Sequence, residues 1–166
     1  MTEFDALYER YAPIVLRYAL FLCGDRALAN DITSETFVRV WAAAGPIRHD
    51  TVRAYLFTIA RNLYRDSWRR SRRHEAIDEG VRDMRASAEK LAEDRSELGF
   101  VWSAMAELPE ADRALLLMRA HEELSYRDIA TALGVSVAAA KVRVHRARLR
   151  LLSVTRARAR APGEEP

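Results

Sequence analysis

Cysteine is nearly absent from this chain of 166 residues, and the single one, Cys23, limits the available chemistry. One cysteine forms no intrachain disulfide and no cluster of metal-bound thiolates. The four histidines also lack the mutual spacing of metal ligands; they are His49, His74, His121 and His145. Because Cys23 ends an apolar run, we expect a buried structural residue rather than an enzyme nucleophile. We therefore expect no cofactor, no bound metal and no catalytic residue.

Long apolar runs and strand patterns are missing as well. The most apolar stretch, residues 14–23, is short and contains Arg17, so it is too brief to span a bilayer. No signal peptide is evident, and the chain is expected to be cytoplasmic. No segment alternates apolar and polar residues, and no Asn-Gly or Asp-Gly hairpin turn occurs. Helical spacing of apolar residues predicts an all-α fold instead.

Lysine is scarce too, since only Lys90 and Lys141 occur among 27 basic residues. The net charge is +3, but its sign is unevenly distributed. Residues 61–73 and 141–160 are strongly basic, whereas residues 75–97 are acidic. Arginine suits phosphate oxygens and base edges. Two separated basic segments therefore predict two contacts with a polyanion.

Apolar residues recur at helical spacing in two groups. The first group predicts helices over residues 2–22, 26–44 and 51–72. Pro13 is expected to kink or restart the first of them. Their predicted inward faces include Tyr8, Trp41 and Tyr55. The second group begins at Leu98, places Phe100 and Val101 inward, and breaks at Pro109.

This pattern predicts two small helical domains, residues 1–72 and 96–153. The segment between them, residues 73–95, is expected to be a flexible acidic linker. The final segment, residues 154–166, contains mainly arginine, alanine, proline and glutamate. We expect it to be a disordered basic tail.

The second domain contains a pattern typical of a helix-turn-helix. Ser125 is placed to cap one helix, Gly134 to end it, and Ser136 to cap the next. The outer face of this second helix is basic; its residues are Lys141, Arg143, Arg146, Arg148 and Arg150. Such a helix fits a DNA major groove. An ordinary helix pair with a solvated basic face is the alternative.

The third helix combines arginines with aromatic residues. Arg61, Arg65 and Arg69 follow helical spacing, with Tyr64 and Trp68 beside them. Arginine binds phosphate and aromatic rings stack on unpaired bases, so the pattern favours single-stranded nucleic acid. Packing in a core is the competing explanation for both rings. The preceding loop, with Arg48, His49 and Asp50, is a candidate pocket for a flipped base.

The second helix presents acidic and polar residues within residues 31–41. This surface suits a protein partner better than DNA. An ordinary amphipathic helix explains the same pattern, and spacing alone does not decide between the two.

The order of these motifs resembles the extracytoplasmic-function (ECF) sigma factors of bacterial RNA polymerase. Residues 7–13 (LYERYAP), 31–41 (DITSETFVRVW) and 54–63 (AYLFTIARNL) resemble region two of that family. The segments that resemble region four are 107–109 (ELP), 124–126 (LSY), 129–130 (IA), 133–136 (LGVS), Lys141 with Arg143, and 145–148 (HRAR). The resemblance extends from about Phe4 to Leu152. A stand-alone helix-turn-helix regulator is the alternative, and an enzyme that uses Cys23 or a histidine is a more distant one.

The resemblance implies a promoter-specificity subunit without an active site of its own. Its partners are core RNA polymerase, promoter DNA and an anti-sigma protein that lies between the two domains, and its location is cytoplasmic and nucleoid-associated. Core polymerase is expected to contact Asp31, Glu35 and Arg39. The minus-ten element is expected to contact Arg48, His49, Asp50, Arg61, Asn62, Arg65 and Arg69. The minus-thirty-five element is expected to contact Ser136, Ala138, Ala139, Lys141, Val142, Arg143 and Arg146.

Several positions depart from the family pattern. Ser34 stands where a glutamine is usual in the core-binding helix. Residues 138–140 are three alanines where Gly-Thr-Val is common, and Val142 replaces a serine. Methyl groups at these positions are suited to thymine contacts. We therefore expect altered specificity for the upstream element.

Overall fold

The computed structural model describes residues 1–43, 45–46, 48, 52–74, 97–121 and 123–160. The α-helices are α1 (Glu3–Cys23), α2 (Arg26–Ala42), α3 (Val52–His74), α4 (Glu97–Ala106), α5 (Glu110–Leu116), α6 (Tyr126–Leu133) and α7 (Val137–Arg160). A π-helical turn, Leu117–His121, follows α5. The all-α prediction is confirmed. None of the helices in these ranges is long and apolar enough to cross a membrane.

Local polar chemistry sets the boundaries of the first two helices. Thr2 and Asp5 form a reciprocal capping box, and their hydrogen bonds lower the pKa of Asp5. Gly24 ends α1 with φ 69°, as a left-handed helix stop requires. Asp25 then caps α2, since its Oδ1 accepts from the Leu28 N–H at 3.1 Å. Pro13 lies inside α1, and the helix continues through it.

The amino-terminal domain consists of α1, α2 and α3, each of which contacts the other two. Its core is aromatic and aliphatic, with Tyr18, Leu22, Leu56 and Phe57 almost fully buried. The rings of Tyr18 and Phe57 are 4.5 Å apart between centroids. This three-helix packing positions the outer faces of α2 and α3.

The helix-turn-helix domain consists of α4 to α7 and the π-helical turn. Ser125 Oγ accepts from the Asp128 N–H at 3.1 Å, which caps α6. Gly134 ends α6 with φ 65°, and Ser136 Oγ accepts from the Ala139 N–H at 3.1 Å. Ile129 on α6 and Val144 on α7 are both fully buried in the core. The predicted helix-turn-helix is therefore present, with the caps in the expected places.

The last helix is longer than predicted. The sequence predicted a disordered tail from residue 154. This prediction is wrong for residues 154–160, which are helical and continue α7 to Arg160. Leu151 and Val154 pack against the core, and Arg158 forms an ion pair with Glu107. These long-range contacts stabilise a segment whose composition alone indicated disorder. The linker predicted over residues 73–95 lies mostly outside the described residues, while residues 73–74 complete α3.

Some residues predicted to face inward are on the surface. Trp41 is 71% exposed, Tyr55 47% and Tyr8 46%. Phe100 and Val101 on α4 are exposed to a similar degree. Helical periodicity identified apolar positions correctly but did not distinguish a core from an exposed surface.

Candidate polymerase and nucleic-acid interfaces

The outer face of α2 presents charged side chains to solvent. Asp31, Glu35 and Arg39 are all exposed, as the sequence predicted. Arg39 Nε donates to Glu35 Oε1 at 3.0 Å, and each side chain is 48% exposed. An exposed pair one helical turn apart contributes little to stability. Both side chains are therefore accessible to a partner, and breaking their ion pair would cost the fold little stability.

Two exposed apolar side chains extend this face, and one of them, Trp41, was predicted from the sequence to face inward. Val38 is 57% exposed and Trp41 is 71% exposed. Trp41 packs its ring 5.9 Å from Phe4 of α1, and Phe4 in turn lies 6.4 Å from Phe37. The contact with Phe4 holds the Trp41 indole against the domain, while most of the side chain stays exposed to solvent. A supported, exposed tryptophan beside charged residues is typical of a protein-binding surface.

The exposed face of α3 contains Asn62, Arg65 and Arg69. Arg69 Nη1 lies 3.8 Å from Asp66 Oδ1, a loose surface pair. Trp68 is 43% exposed, and the Arg72 guanidinium lies 4.5 Å from its ring centroid. This combination of arginine and an accessible ring can hold phosphate and an unpaired base.

Two other residues of α3 do not match the prediction. Tyr64 is 4% exposed, so core packing and not base stacking explains it. Burial raises the pKa of Tyr64, while the charge of Arg113 opposes that change. The Arg61 side chain is only 13% exposed and pairs with Glu110 of α5. Arg61 is therefore not available to DNA in this conformation, contrary to the expectation from its helical spacing.

The loop before α3 is described only in part. Arg48 is exposed. His49 and Asp50 lie outside the described residues, so the base pocket predicted there stays a prediction.

The second helix of the motif, α7, has sharply different faces. Ala140, Val144 and Ala147 are fully buried against the domain. Ala138, Lys141, Val142, Arg143 and Arg146 are exposed, and Ala139 is half-buried. Ser136 is exposed, but its hydroxyl is used as the helix cap. The predicted upstream contacts, with Ser136 at the start, thus fall on or beside the accessible part of one helix.

Two arginines further along α7 have partners in their own domain. Arg150 pairs with Asp112 of α5, and Arg158 pairs with Glu107. These ion pairs connect the carboxyl-terminal half of α7 to α5 and to the turn that follows α4. Arg150 is thereby separated in role from the arginines nearer the start of the helix.

Two protein families match the chain in the order of its domains. Sigma-70 region 2 matches residues 7–74, and Sigma-70, region 4 matches residues 101–151. Together with the helical fold, these two matches define the chain as a sigma-70-type sigma factor.

Similar proteins define the class more narrowly. The ECF RNA polymerase sigma factor SigL of Mycobacterium tuberculosis is 34% identical over 138 residues, which cover 79% of this chain and 76% of SigL. The ECF RNA polymerase sigma factor SigM of Bacillus subtilis is 30% identical over 136 residues, covering 81% and 83%. This chain belongs to the ECF family of RNA polymerase sigma factors, which confirms the resemblance seen in the sequence.

Solved structures share the fold. The sigma factor RpoE of Bartonella quintana, in complex with the anti-sigma factor NepR, matches with a TM-score of 0.68 and 20% identity, over 94% of this chain and 98% of that one. CnrH, in complex with the cytosolic domain of CnrY, matches with a TM-score of 0.65 and 25% identity, over 93% and 88%.

Proposed function

We propose that this chain binds core RNA polymerase through the outer face of α2 and directs it to promoters. The observation that carries the proposal is the combination of three exposed surfaces in one small chain. They are the Trp41 surface of α2, the arginine-rich face of α3 and the basic start of α7. One surface suits a protein and two suit nucleic acid. Core polymerase supplies the catalytic groups, and the chain contributes none.

The α2 surface has an apolar part and a charged part. Val38 and Trp41 supply apolar area, with Trp41 as the main anchor. Asp31, Glu35 and Arg39 form a row along one side of this apolar part and set orientation and specificity. Ser34 is exposed on the same helix, where its short hydroxyl reaches less far than a glutamine amide.

The two DNA-binding surfaces act on different forms of DNA. The start of α7 enters the major groove of the upstream element, with Lys141, Arg143 and Arg146 on base edges and phosphates. The face of α3 binds the separated non-template strand, with Arg65 and Arg69 on phosphates. Each domain alone binds weakly, and attachment of both to polymerase raises the effective concentration of each site for the other.

The methyl groups of α7 contribute to promoter choice. Ala138 and Val142 are exposed beside the basic residues, so they can contact the methyl group of thymine. Neither side chain has a hydroxyl to hydrogen-bond a base. The upstream element of this sigma factor therefore differs from one read by serine and threonine.

An anti-sigma protein is part of the proposal. Two structurally similar sigma factors were solved with NepR and with the cytosolic domain of CnrY. We infer that a protein of this kind binds between the two domains of this chain. The product of the neighbouring gene is the first partner to test by co-purification, and failure to co-purify would contradict that candidate.

Run-off transcription tests the function directly. Purified core polymerase is incubated with and without the chain on a DNA fragment from upstream of its own gene. A discrete start site that requires the chain is the expected result. Tight operator binding by the chain alone, with neither core binding nor a start site, would instead support a stand-alone regulator.

The α2 surface is tested by core-binding affinity. Trp41→Ala is expected to weaken binding by about 2 kcal/mol or more, as for a central aromatic anchor. Asn30→Ala is the control on the same helix, because Asn30 is exposed and lies about three turns from Trp41 along α2. Equal affinities for the two variants would exclude Trp41 from the interface.

A further inference from the structure

The turn that connects α5 to α6 has a sharply defined backbone. The π-helical turn Leu117–His121 follows α5 directly. The Leu124 N–H donates to the Met118 carbonyl at 2.9 Å. Glu123 has φ 53°, in the left-handed region. Short π-helical segments are frequent at functional sites, because they aim side chains in directions that an α-helix does not reach.

Arg119 is the side chain by which this turn contacts the helix-turn-helix. It is half-buried, and its Nη1 donates to the Leu124 carbonyl at 3.0 Å. Its guanidinium lies 4.4 Å from the centroid of the Tyr126 ring. The hydrogen bond fixes the planar guanidinium, and the cation–π attraction holds the ring against it. Arg119 therefore orients an aromatic side chain at the start of α6.

The same ring contacts a second cation, on the DNA-binding helix. Lys141 of α7 is exposed, and its Nζ lies 5.8 Å from the Tyr126 centroid. Among the residues that the structure describes, Lys141 forms no ion pair. A lysine side chain is otherwise flexible. The ring therefore restricts the directions in which the Lys141 ammonium points.

Arg119 differs from the arginines that fasten helices together in this domain. Arg150 and Arg158 pair with carboxylates. Arg119 has no carboxylate partner in the described part of the chain, and its guanidinium contacts a ring shared with a DNA-binding candidate. Stabilisation of the turn alone does not require that shared ring.

We propose that Arg119, which lies outside the recognition helix, is a positioning residue for promoter recognition. Through Tyr126 it holds the Lys141 ammonium in the direction that reads one guanine of the upstream element. Lysine donates to guanine O6 and N7 in the major groove. An ammonium has three rotating donors, so its selectivity depends on where the side chain is held. The guanine contact rests on the proposed role of α7, whereas the positioning of Lys141 does not.

The scarcity of lysine makes the positioning directly measurable by nuclear magnetic resonance. The full chain is labelled with carbon-13 at lysine Cε, which gives one signal each for Lys90 and Lys141. Lys141→Arg removes one signal and so assigns both. Ring currents shift protons above an aromatic face upfield. The Lys141 Hε signal should therefore move downfield in Tyr126→Leu, and an unmoved signal would overturn the proposal.

Arg119→Met tests the orienting role, because it keeps an unbranched side chain and removes the guanidinium. The Lys141 signal should lose most of its upfield displacement. Arg127→Met is the matched control, since Arg127 is exposed beside Tyr126 and has no ion pair or ring contact among the described residues. It removes the same charge and should leave the signal in place.

Circular dichroism establishes that these variants are helical. Arg119→Lys is the second variant at this position, and it replaces Arg119→Met if that chain does not fold. It keeps a cation for the ring but lacks the planar fork, so its Lys141 signal should lie between those of the unmodified chain and Tyr126→Leu. An unchanged Lys141 signal in a folded Arg119 variant would overturn the orienting role.

Selection from a randomised upstream element tests the guanine contact. Core polymerase and the full chain transcribe a template library built on the promoter that run-off transcription identifies. Lys141→Ala should lose a preference for guanine at one base pair. Arg119→Met should reduce that same preference by about two- to fivefold, the factor for one exposed cation–π contact, and leave the other positions unchanged. Arg127→Met should retain every preference.

The outcomes separate the two parts of the proposal. A uniform loss at all positions in Arg119→Met would assign that residue a structural role only. A displaced Lys141 signal with unchanged base preferences would overturn the guanine contact and leave the positioning supported. Run-off transcription by the unmodified chain reports separately on the proposed function.

Discussion

The Nζ atom of Lys141 lies 5.8 Å from the centroid of the Tyr126 ring, which connects the two helices of the DNA-binding motif. The Arg119 guanidinium lies 4.4 Å from the same ring, and its Nη1 donates to the Leu124 carbonyl at 3.0 Å. The ring thus organises two cations by cation–π contact. Tyr126 of α6 therefore helps to position the side chain of Lys141, which belongs to α7.

Tyr126→Leu should reduce transcription that depends on the upstream element by about two- to fivefold, since an exposed cation–π contact contributes about 0.5–1 kcal/mol. Tyr126→Phe keeps the ring face and should remain close to the unmodified chain. Run-off yields on templates with and without the upstream element measure both effects. Equal losses in the two variants would assign the effect to the hydroxyl instead.

Arg143→Ala and Arg146→Ala should each weaken upstream-dependent initiation by about 1–3 kcal/mol if they contact base edges. Both side chains project into solvent from the accessible part of α7. Arg150→Ala is the comparison, because Arg150 pairs with Asp112 within the domain. It should lower the melting temperature while promoter preference is retained. An unchanged preference in the first two variants would exclude base contacts.

Glu123→Gly should stabilise the helix-turn-helix domain by about 0.5–1 kcal/mol. Glu123 has φ 53°, a left-handed conformation that glycine adopts without steric cost. Urea unfolding of the full chain measures the change. The reciprocal control is Gly134→Ala, at φ 65° with nothing within 4 Å of the added methyl. Its expected destabilisation of about 1 kcal/mol is then purely conformational.

Because the Cys23 thiol is buried, we expect the free energy of unfolding to decrease at alkaline pH. Burial raises the pKa of its thiol to about 11, above the ordinary value of 9.0. The unfolded chain therefore loses this proton first as the pH rises. The stabilisation is fully present below pH 9 and is lost progressively as the pH approaches 11.

Cys23→Ala lacks this titration, so its stability deficit relative to the unmodified chain should shrink between pH 9 and pH 10.5. Every other ionisable group is present in both proteins, so its contribution cancels in the comparison. Urea unfolding at both pH values, with reducing agent present, measures the difference. A deficit that stays constant with pH would contradict the burial of the thiol.

Local chemistry explains which structural predictions were correct. Helix caps and helix stops act on residues within a few positions of themselves, so the sequence alone predicts their effect. The stops here are Gly24 and Gly134, and the caps are Ser125 and Ser136. The exposed Trp41 was misplaced because an amphipathic pattern looks the same whether its apolar stripe meets a core or a partner.

Long-range contacts explain the remaining errors. Arg61 and Glu110 are 49 residues apart, and Arg158 and Glu107 are 51 apart. Neither pairing follows from helical periodicity, because it depends on how separate helices meet in space. The site residues on α2 and α7 were placed on exposed helix faces, but the availability of Arg61 was not foreseen.

Because α7 is one continuous helix, a movement at its carboxyl-terminal end is transmitted to the DNA-binding candidates near its start. Its 24 residues make a rod of about 36 Å at a rise of 1.5 Å per residue. Asp112 and Glu107 anchor the far half through Arg150 and Arg158. A tilt of about 5° at those anchors displaces the opposite tip by about 3 Å, close to the spacing of one base pair. Loss of both anchors together therefore changes the register of DNA contact, although neither anchor touches DNA, whereas loss of one leaves the other to hold the helix.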